Sequence, residues 1–418
     1  LHPFSSNCAY AQVKKPRFFQ RPHPRAPPSL WFGRVKQRPS EEKTMETTPT
    51  RPAQATPDQA KASPAPSLDE QKLMEFVFKV VGEVGAAMSS NLVLIGDKLG
   101  LYRALAQHGP LTSTELAKLT GTAERYVREW LGNQAAGGYV TYDPSQKSFR
   151  LPPEHAFCLA NEDSPVNLQG AFAVLEAMQH GQERILENFR TGQGLEWGKQ
   201  HTCLFTGTER FFRAAYVGHL INDWLPALDG VKAKLEQGAT VADVGCGLGA
   251  STILMAQAFP RSKFIGYDYH EASIRTARER AKAAGIADRV DFEVARATDF
   301  PGQNYDLVCT FDCLHDMEDP AGAARHIRKT LAPTGRWMIV EPLAGDKLED
   351  NLNPVSRVYY AASTMVCVPH SLSGHGPALG AQAGEARLRE IIVGEGGFSA
   401  LRRATQTPFN LVLEARAE

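Results

Sequence analysis

Along the chain the apolar positions change rhythm three times, and each change marks a different kind of structure. Residues 1–68 show no apolar period. Strings such as RPHPRAPPS and TPTRPAQATPDQAKASPAPS are dominated by Pro, Arg, Ser and Thr, and they bury too little apolar surface to offset the entropy of ordering. A disordered leader is expected there. Near Ser67, with Asp69 and Glu70 supplying a start signal, the spacing of LDEQKLMEFVFKVVGEVGAAM predicts a helix. The next stretch reads helix, Gly-Pro turn, helix capped by Thr112 or Ser113 with Glu115 nearby, turn, helix, and a hairpin through Asp143-Pro144. That is a winged helix-turn-helix pattern, assigned to residues 69–163. Residues 164–235 keep helical spacing and form a linker and substrate-cap segment, in which TERFFRAAYVGHLINDWLPAL is apolar on one face with Thr208 as its expected cap.

From Ala239 the period shortens. The runs TVADVG, KFIGYD, VDFEVA, YDLVCTF, RWMIVEP and FNLVLEA alternate with helical stretches, the signature of a doubly wound, mostly parallel α/β sheet over residues 236–418.

Charge changes this picture only locally. Lys plus Arg and Asp plus Glu are 46 each, so no global field favours nucleic acid or an anionic membrane. Residues 1–44 hold nine Lys or Arg against two acids, which leaves the rest mildly acidic. An Arg-rich start resembles an organelle transit peptide, although its prolines oppose an amphipathic helix, and Met45 is a candidate initiator. The would-be recognition helix sets Arg125 and Arg128 against Glu124 and Glu129. With no net charge for phosphates, a lid or a homodimer contact suits this module better than DNA binding. The apolar runs fall short of the ~20 residues of a membrane span. Seven scattered cysteines without a CxxC pair fit reduced thiols and a cytoplasmic location rather than disulfides or zinc. His370 and His375, expected in a Gly-rich loop, make a poor metal site, so no metal is expected.

The chemistry concentrates where TVADVG enters GCGLGAST. Glycines there let the backbone approach a ligand, and the helix start offers N–H groups. Gly245, Gly247, Gly249 and Ala250 formally fit the dinucleotide pattern GxGxxA, and Asp268 ends the next strand where a carboxylate can accept ribose hydroxyls. An NAD(P)-dependent oxidoreductase and an S-adenosylmethionine enzyme both satisfy this much. Asp243 separates them, because a carboxylate there would repel pyrophosphate but can hold an ammonium, directly or through water.

The motif D-x-G-x-G-x-G at residues 243–249, Asp268, and YDLVCTFDCLHDMEDP together resemble the class I S-adenosylmethionine-dependent methyltransferases. With the winged helix, LHD after the fourth strand and VEP at the fifth, the chain is similar to two-domain small-molecule O-methyltransferases and related bacterial methyltransferases. The resemblance implies a seven-stranded sheet with an antiparallel last strand at FNLVLEARA. It also implies that Asp243, Gly245, Gly247 and Gly249 line the methionine end of the cofactor, that Asp268 takes the ribose, and that Tyr269 covers the adenine. Ala297, Thr298 and Asp299 would form the adenine rim, where Arg296 replaces the acid of many relatives. Phe311 and Asp312 would face the sulfonium and the acceptor.

For a hydroxyl acceptor such an enzyme removes a proton while holding the methyl in line. His315 occupies the general-base position of the resembling enzymes, Glu341 that of the carboxylate orienting it, and Glu385 is a second candidate. The acceptor pocket is expected between the helical region and the carboxyl edge of the sheet, walled by Trp197, Arg213 and Tyr216, with His201, Phe211, Phe212 and His219 as further candidates. Two rivals stay open: the oxidoreductase, and a winged-helix transcription regulator whose second domain senses a ligand. The choice among O, N and C acceptors also stays open.

Overall fold

The computed structural model describes residues 68–418. The expected disordered leader, the targeting role and the Met45 start lie outside the described residues.

Helix α1 (Glu70–Lys98) starts at Asp69, whose carboxylate accepts the N–H groups of Gln71 and Lys72. Charged residues at Glu75, Lys79 and Glu83 break up its apolar runs in sequence, yet a spacing of four gathers them on one side of the helix. Phe76, Phe78, Val81 and Met88 are exposed. By length and composition alone, α1 is apolar enough to cross a membrane, which the run-by-run sequence reading did not anticipate.

The winged module follows with α2 (Leu101–His108), α3 (Ser113–Thr120), α4 (Glu124–Ala136), β1 (Thr141–Asp143) and β2 (Ser148–Arg150). Thr112 and Glu115 form a capping box at α3. Leu101, Leu105, Leu116, Trp130 and Leu131 make the module's core, and the Tyr102 hydroxyl donates to Gln134 Oε1 at 2.6 Å inside it. On α4, Arg125 pairs with Glu129 and Arg128 with Glu124, so these cations are neutralised on their own helix.

Two helices, Gln169–Thr191 and Cys203–Ala215, lead to the sheet, and the second continues through a wide π-helical turn at Tyr216–Trp224. Thr208 lies inside this helix rather than capping it; the apolar spacing extends further upstream than the Thr208 signal suggested. Leu220, Trp224 and Leu225 are fully buried against the sheet. Arg210 bonds both Asp97 of α1 and Glu162, tying the segment back to the winged module.

The sheet contains β3 (Thr240–Val244), β4 (Lys263–Asp268), β5 (Val290–Val294), β6 (Tyr305–Phe311), β7 (Leu331–Pro342), β8 (Ala400–Gln406) and β9 (Asn410–Arg416). Their order is β5-β4-β3-β6-β7-β9-β8. β9 runs antiparallel to both neighbours, and two apolar clusters cover the sheet's faces. β8 escaped the hydrophobic pattern because it is an edge strand on which only Leu401 is buried. The segment around His370 is helical rather than a loop. A π-helical turn at Ser363–Cys367 runs directly into Val368–Ser373, with Pro369 just after it.

Candidate active site

The glycine turn after β3 is built by backbone geometry that other residues resist. Gly245, Gly247 and Gly249 have φ of 77°, 52° and 82°, in the left-handed region. A Cβ on Gly245 would sit 2.7 Å from Cys313 Sγ, and one on Gly249 would sit 2.8 Å from the Phe292 ring. The turn's amides are largely committed to protein acceptors: Gly245 and Cys246 donate to Tyr267 O, Gly249 to Cys246 O, and Gly247 to Asp268 Oδ2 at 2.9 Å. They do not form the open anion cradle expected from the sequence.

Against this turn lies a cavity of about 480 Å³. Gly245, Gly247, Asp268, Tyr269, Ala297, Thr298, Phe311 and Asp312 line its sheet side, and Trp197 and Tyr216 line it from the bridging helices. Phe205, Phe212, His370 and Arg296 are also among the lining residues; the His370 ring lies 6.0 Å from that of Tyr269 and nearly parallel to it. The Tyr216 hydroxyl reaches Asp312 Oδ2 at 3.4 Å.

Carboxylates dominate the charge of this wall. Asp268, Asp312 and Asp316 border the cavity without a Lys or Arg partner among the described residues, and burial pushes all three carboxyls above their ordinary range. Such a surface suits a cationic guest and repels a diphosphate. The sequence assigned that selection to Asp243, which the structure places one layer back from the cavity. Asp243 is fully buried beneath the turn, outside the cavity. Its Oδ2 accepts the hydroxyls of Ser251 and Thr252 at 2.7 and 2.6 Å, and its Oδ1 has no partner. Burial lifts its carboxyl to about 6, although both hydroxyls pull the other way.

Beyond β6, His315 and Glu341 form a buried ion pair through Nδ1 and Oε2. Glu341 Oε1 also accepts the Leu314 N–H at 2.9 Å, so the carboxylate is fixed at both oxygens. Burial opposes charge on the imidazole, but Glu341 and Cys367 together outweigh it and hold the His315 pKa well above its ordinary value. Nε2 faces Cys367 Sγ at 3.4 Å. His315 therefore stands behind Asp316 at the cavity's margin rather than on its wall.

Several anticipated residues lie elsewhere. Glu385 is held by Arg389 and Arg403, away from His315, because its helix packs beside β8 and outside the crevice. Arg213 bonds the Glu162 carbonyl and Asp163, on the winged-module side of its helix. Asp299 folds back to accept the Arg296 N–H, and Gly249 serves helix packing rather than the cavity wall. His201 stacks on His180, and His219 pairs with Asp223; both are outside the cavity, as is Phe211. Asp319 caps the helix at Pro320–Thr330. Sequence reasoning missed Cys367 as a neighbour of His315, since fifty-two positions separate them.

Residues 235–389 match the methyltransferase domain family, and residues 87–161 match the Rv2258c-like winged HTH domain. Over 104 residues the chain is 35% identical to the 27-O-demethylrifamycin SV methyltransferase of Amycolatopsis mediterranei (strain S699), covering 24% of this chain and 38% of that protein. The chain's alignments span between 22% and 50% of the curated relatives' own length. The structure of human N-acetylserotonin methyltransferase in complex with S-adenosylmethionine superposes with a TM-score of 0.60 at 16% identity, over 84% of this chain and 99% of that one. An O-methyltransferase family protein from Burkholderia thailandensis gives 0.58 at 17% identity, over 81% and 98%. Identity this low shows a shared fold alone. Residues 235–389 thus carry a methyltransferase domain, whose glycine turn borders the carboxylate-lined crevice, and residues 87–161 ahead of it match a winged helix-turn-helix domain.

Proposed function

We propose that the chain methylates a hydroxyl group of a small molecule, with His315 accepting the hydroxyl proton and Glu341 orienting the ring. The observation that carries this reading is the crevice itself: amides of the turn already committed, three half-buried carboxyls without a Lys or Arg partner among the described residues, and a buried His–Glu pair just behind Asp316 at its margin. S-adenosylmethionine supplies, when bound, a methyl group on a positively charged sulfur. Asp268 is suited to the ribose, Tyr269 with Ala297 and Thr298 to the adenine, and Asp312 to the cationic end. Trp197, Phe205, Phe212 and Tyr216 offer an apolar face for the acceptor, which favours a small aromatic or aliphatic guest over a polymer. The bridging segment 164–235 then acts as the acceptor's cap.

Proton transfer follows from the tautomer that Glu341 imposes. With Nδ1–H donating to Glu341, Nε2 carries the free lone pair. Cys367 sits where the acceptor hydroxyl has to arrive, so binding displaces the thiol.

Titration calorimetry with S-adenosylmethionine, its demethylated product and NADH tests the cofactor half. Transfer of labelled methyl into a dialysable metabolite extract tests the acceptor half. Binding of NADH alone, or label confined to macromolecules, would overturn the reading.

A further inference from the structure

We propose that His315 Nε2, the Asp316 carboxylate and Cys367 Sγ form a binding site for one thiophilic divalent cation of the zinc type, and that its occupancy blocks proton transfer at His315. The three ligand atoms lie within 4.8 Å of one another, a grouping that the sequence, with its paired His370 and His375, did not reveal. The Nε2 to Sγ separation is 3.4 Å. Zinc–sulfur and zinc–nitrogen bonds of about 2.3 and 2.0–2.1 Å, meeting at a tetrahedral angle, hold those two atoms about 3.6 Å apart. The pair therefore needs little movement to become an edge of a zinc tetrahedron.

Two independent features complete the site. Glu341 already accepts the Nδ1 proton of His315, the carboxylate–histidine arrangement that orients an imidazole for a metal on its other nitrogen. The Asp316 carboxylate has no Lys or Arg partner among the described residues and feels only the imidazoles of His315 and His370, so a ligand-competent anion stands beside a thiol and an imidazole. Asp316 also borders the crevice, which supplies an entry path and leaves a fourth position on the crevice side. An imidazole nitrogen, a thiolate and one carboxylate select zinc over magnesium, which prefers oxygen ligands and retained water.

Binding releases the Cys367 thiol proton to solvent, because the thiolate is the ligand. It also engages the Nε2 lone pair, the same one assigned to the acceptor proton. Metal binding and general-base action are thus mutually exclusive, and the site works as an inhibitory switch. The proposal goes beyond methyl transfer, and its test needs neither an acceptor nor turnover.

The chelator-stripped full chain is titrated with zinc against a chromogenic chelator, and in parallel with cobalt(II) while thiolate-to-cobalt absorbance is followed. The expected result is one tight zinc ion per chain, a cobalt charge-transfer band, and no competition from magnesium. Cys367→Ser should abolish the band and weaken zinc at least about tenfold, Asp316→Asn should weaken it comparably, and Glu341→Gln should weaken it about 10–100-fold. Retained S-adenosylmethionine binding by Cys367→Ser shows that the variant is folded. An unchanged zinc affinity or a persisting band in Cys367→Ser overturns the site, as does a wild-type chain that binds no zinc at micromolar concentration.

Discussion

The two ends of the crevice are made in opposite ways. The cofactor end is local: the turn at residues 243–249 and the tip of β4 are adjacent parallel strands closed by backbone hydrogen bonds, and Asp268 stitches Gly247 and His270 through their amides. The acceptor end is assembled from afar, with His315, Glu341 and Cys367 arriving from three segments and aromatic rings from the bridging helices. A site made of backbone tolerates variation around it, whereas a site made of side chains from scattered elements depends on the packing of each. The π-helical turns at Tyr216–Trp224 and Ser363–Cys367 both serve the acceptor end; such insertions re-aim side chains and recur at functional sites.

Four substitutions separate the two ends. The largest effect is expected from His315→Ala, which removes the proposed proton acceptor: turnover in the labelled-methyl assay should fall about 10²–10⁴-fold while calorimetry finds cofactor affinity intact. Equal loss of binding would show that the ends are not separable. Asp268→Ala should do the reverse. Losing hydrogen bonds to a charged group costs about 1.5–3 kcal/mol, so the cofactor dissociation constant should rise about 10–100-fold, with acceptor affinity little changed.

A smaller effect is a displacement along the pH axis. His315 must be neutral to accept a proton, and Glu341 raises its pKa, so activity in chelator-containing buffer should climb with pH and reach half its plateau above the ~6.5 of free histidine. Glu341→Gln removes the raising charge and should move that midpoint to lower pH; a midpoint unmoved by Glu341→Gln would detach the carboxylate from the base. The least effect belongs to Glu385→Gln. Paired only with Arg389 and Arg403 at the surface, it should change stability by less than about 0.5 kcal/mol and leave turnover alone, as thermal unfolding and the methyl assay would record.

Legibility follows the same division. The strands β3 and β6, and β7 from Trp337 onward, are runs buried on both faces, so their period declares them, and β8 fails because an edge strand keeps a polar side. Thr112 with Glu115 declared the start of α3 by spacing alone. Asp243 is instructive: its place before the glycines marked the crevice, but its Oδ2 is taken by Ser251 and Thr252 beneath the turn. Glu385 and Arg213 were misassigned because helical spacing does not reveal which neighbour a helix presents a residue to.

By itself the sequence determined the order of elements, the parallel sheet, the glycine turn and the carboxylate at the tip of β4, because each is encoded within a few residues by hydrophobic period or by a backbone that only glycine tolerates. Only the tertiary structure decided which carboxylates face the crevice, that Glu341 rather than Glu385 holds His315, and that Cys367 lies against Nε2. Those pairings join positions 26 and 52 residues apart, and proximity at that range is set by how helices pack on the sheet, a property that no local pattern carries.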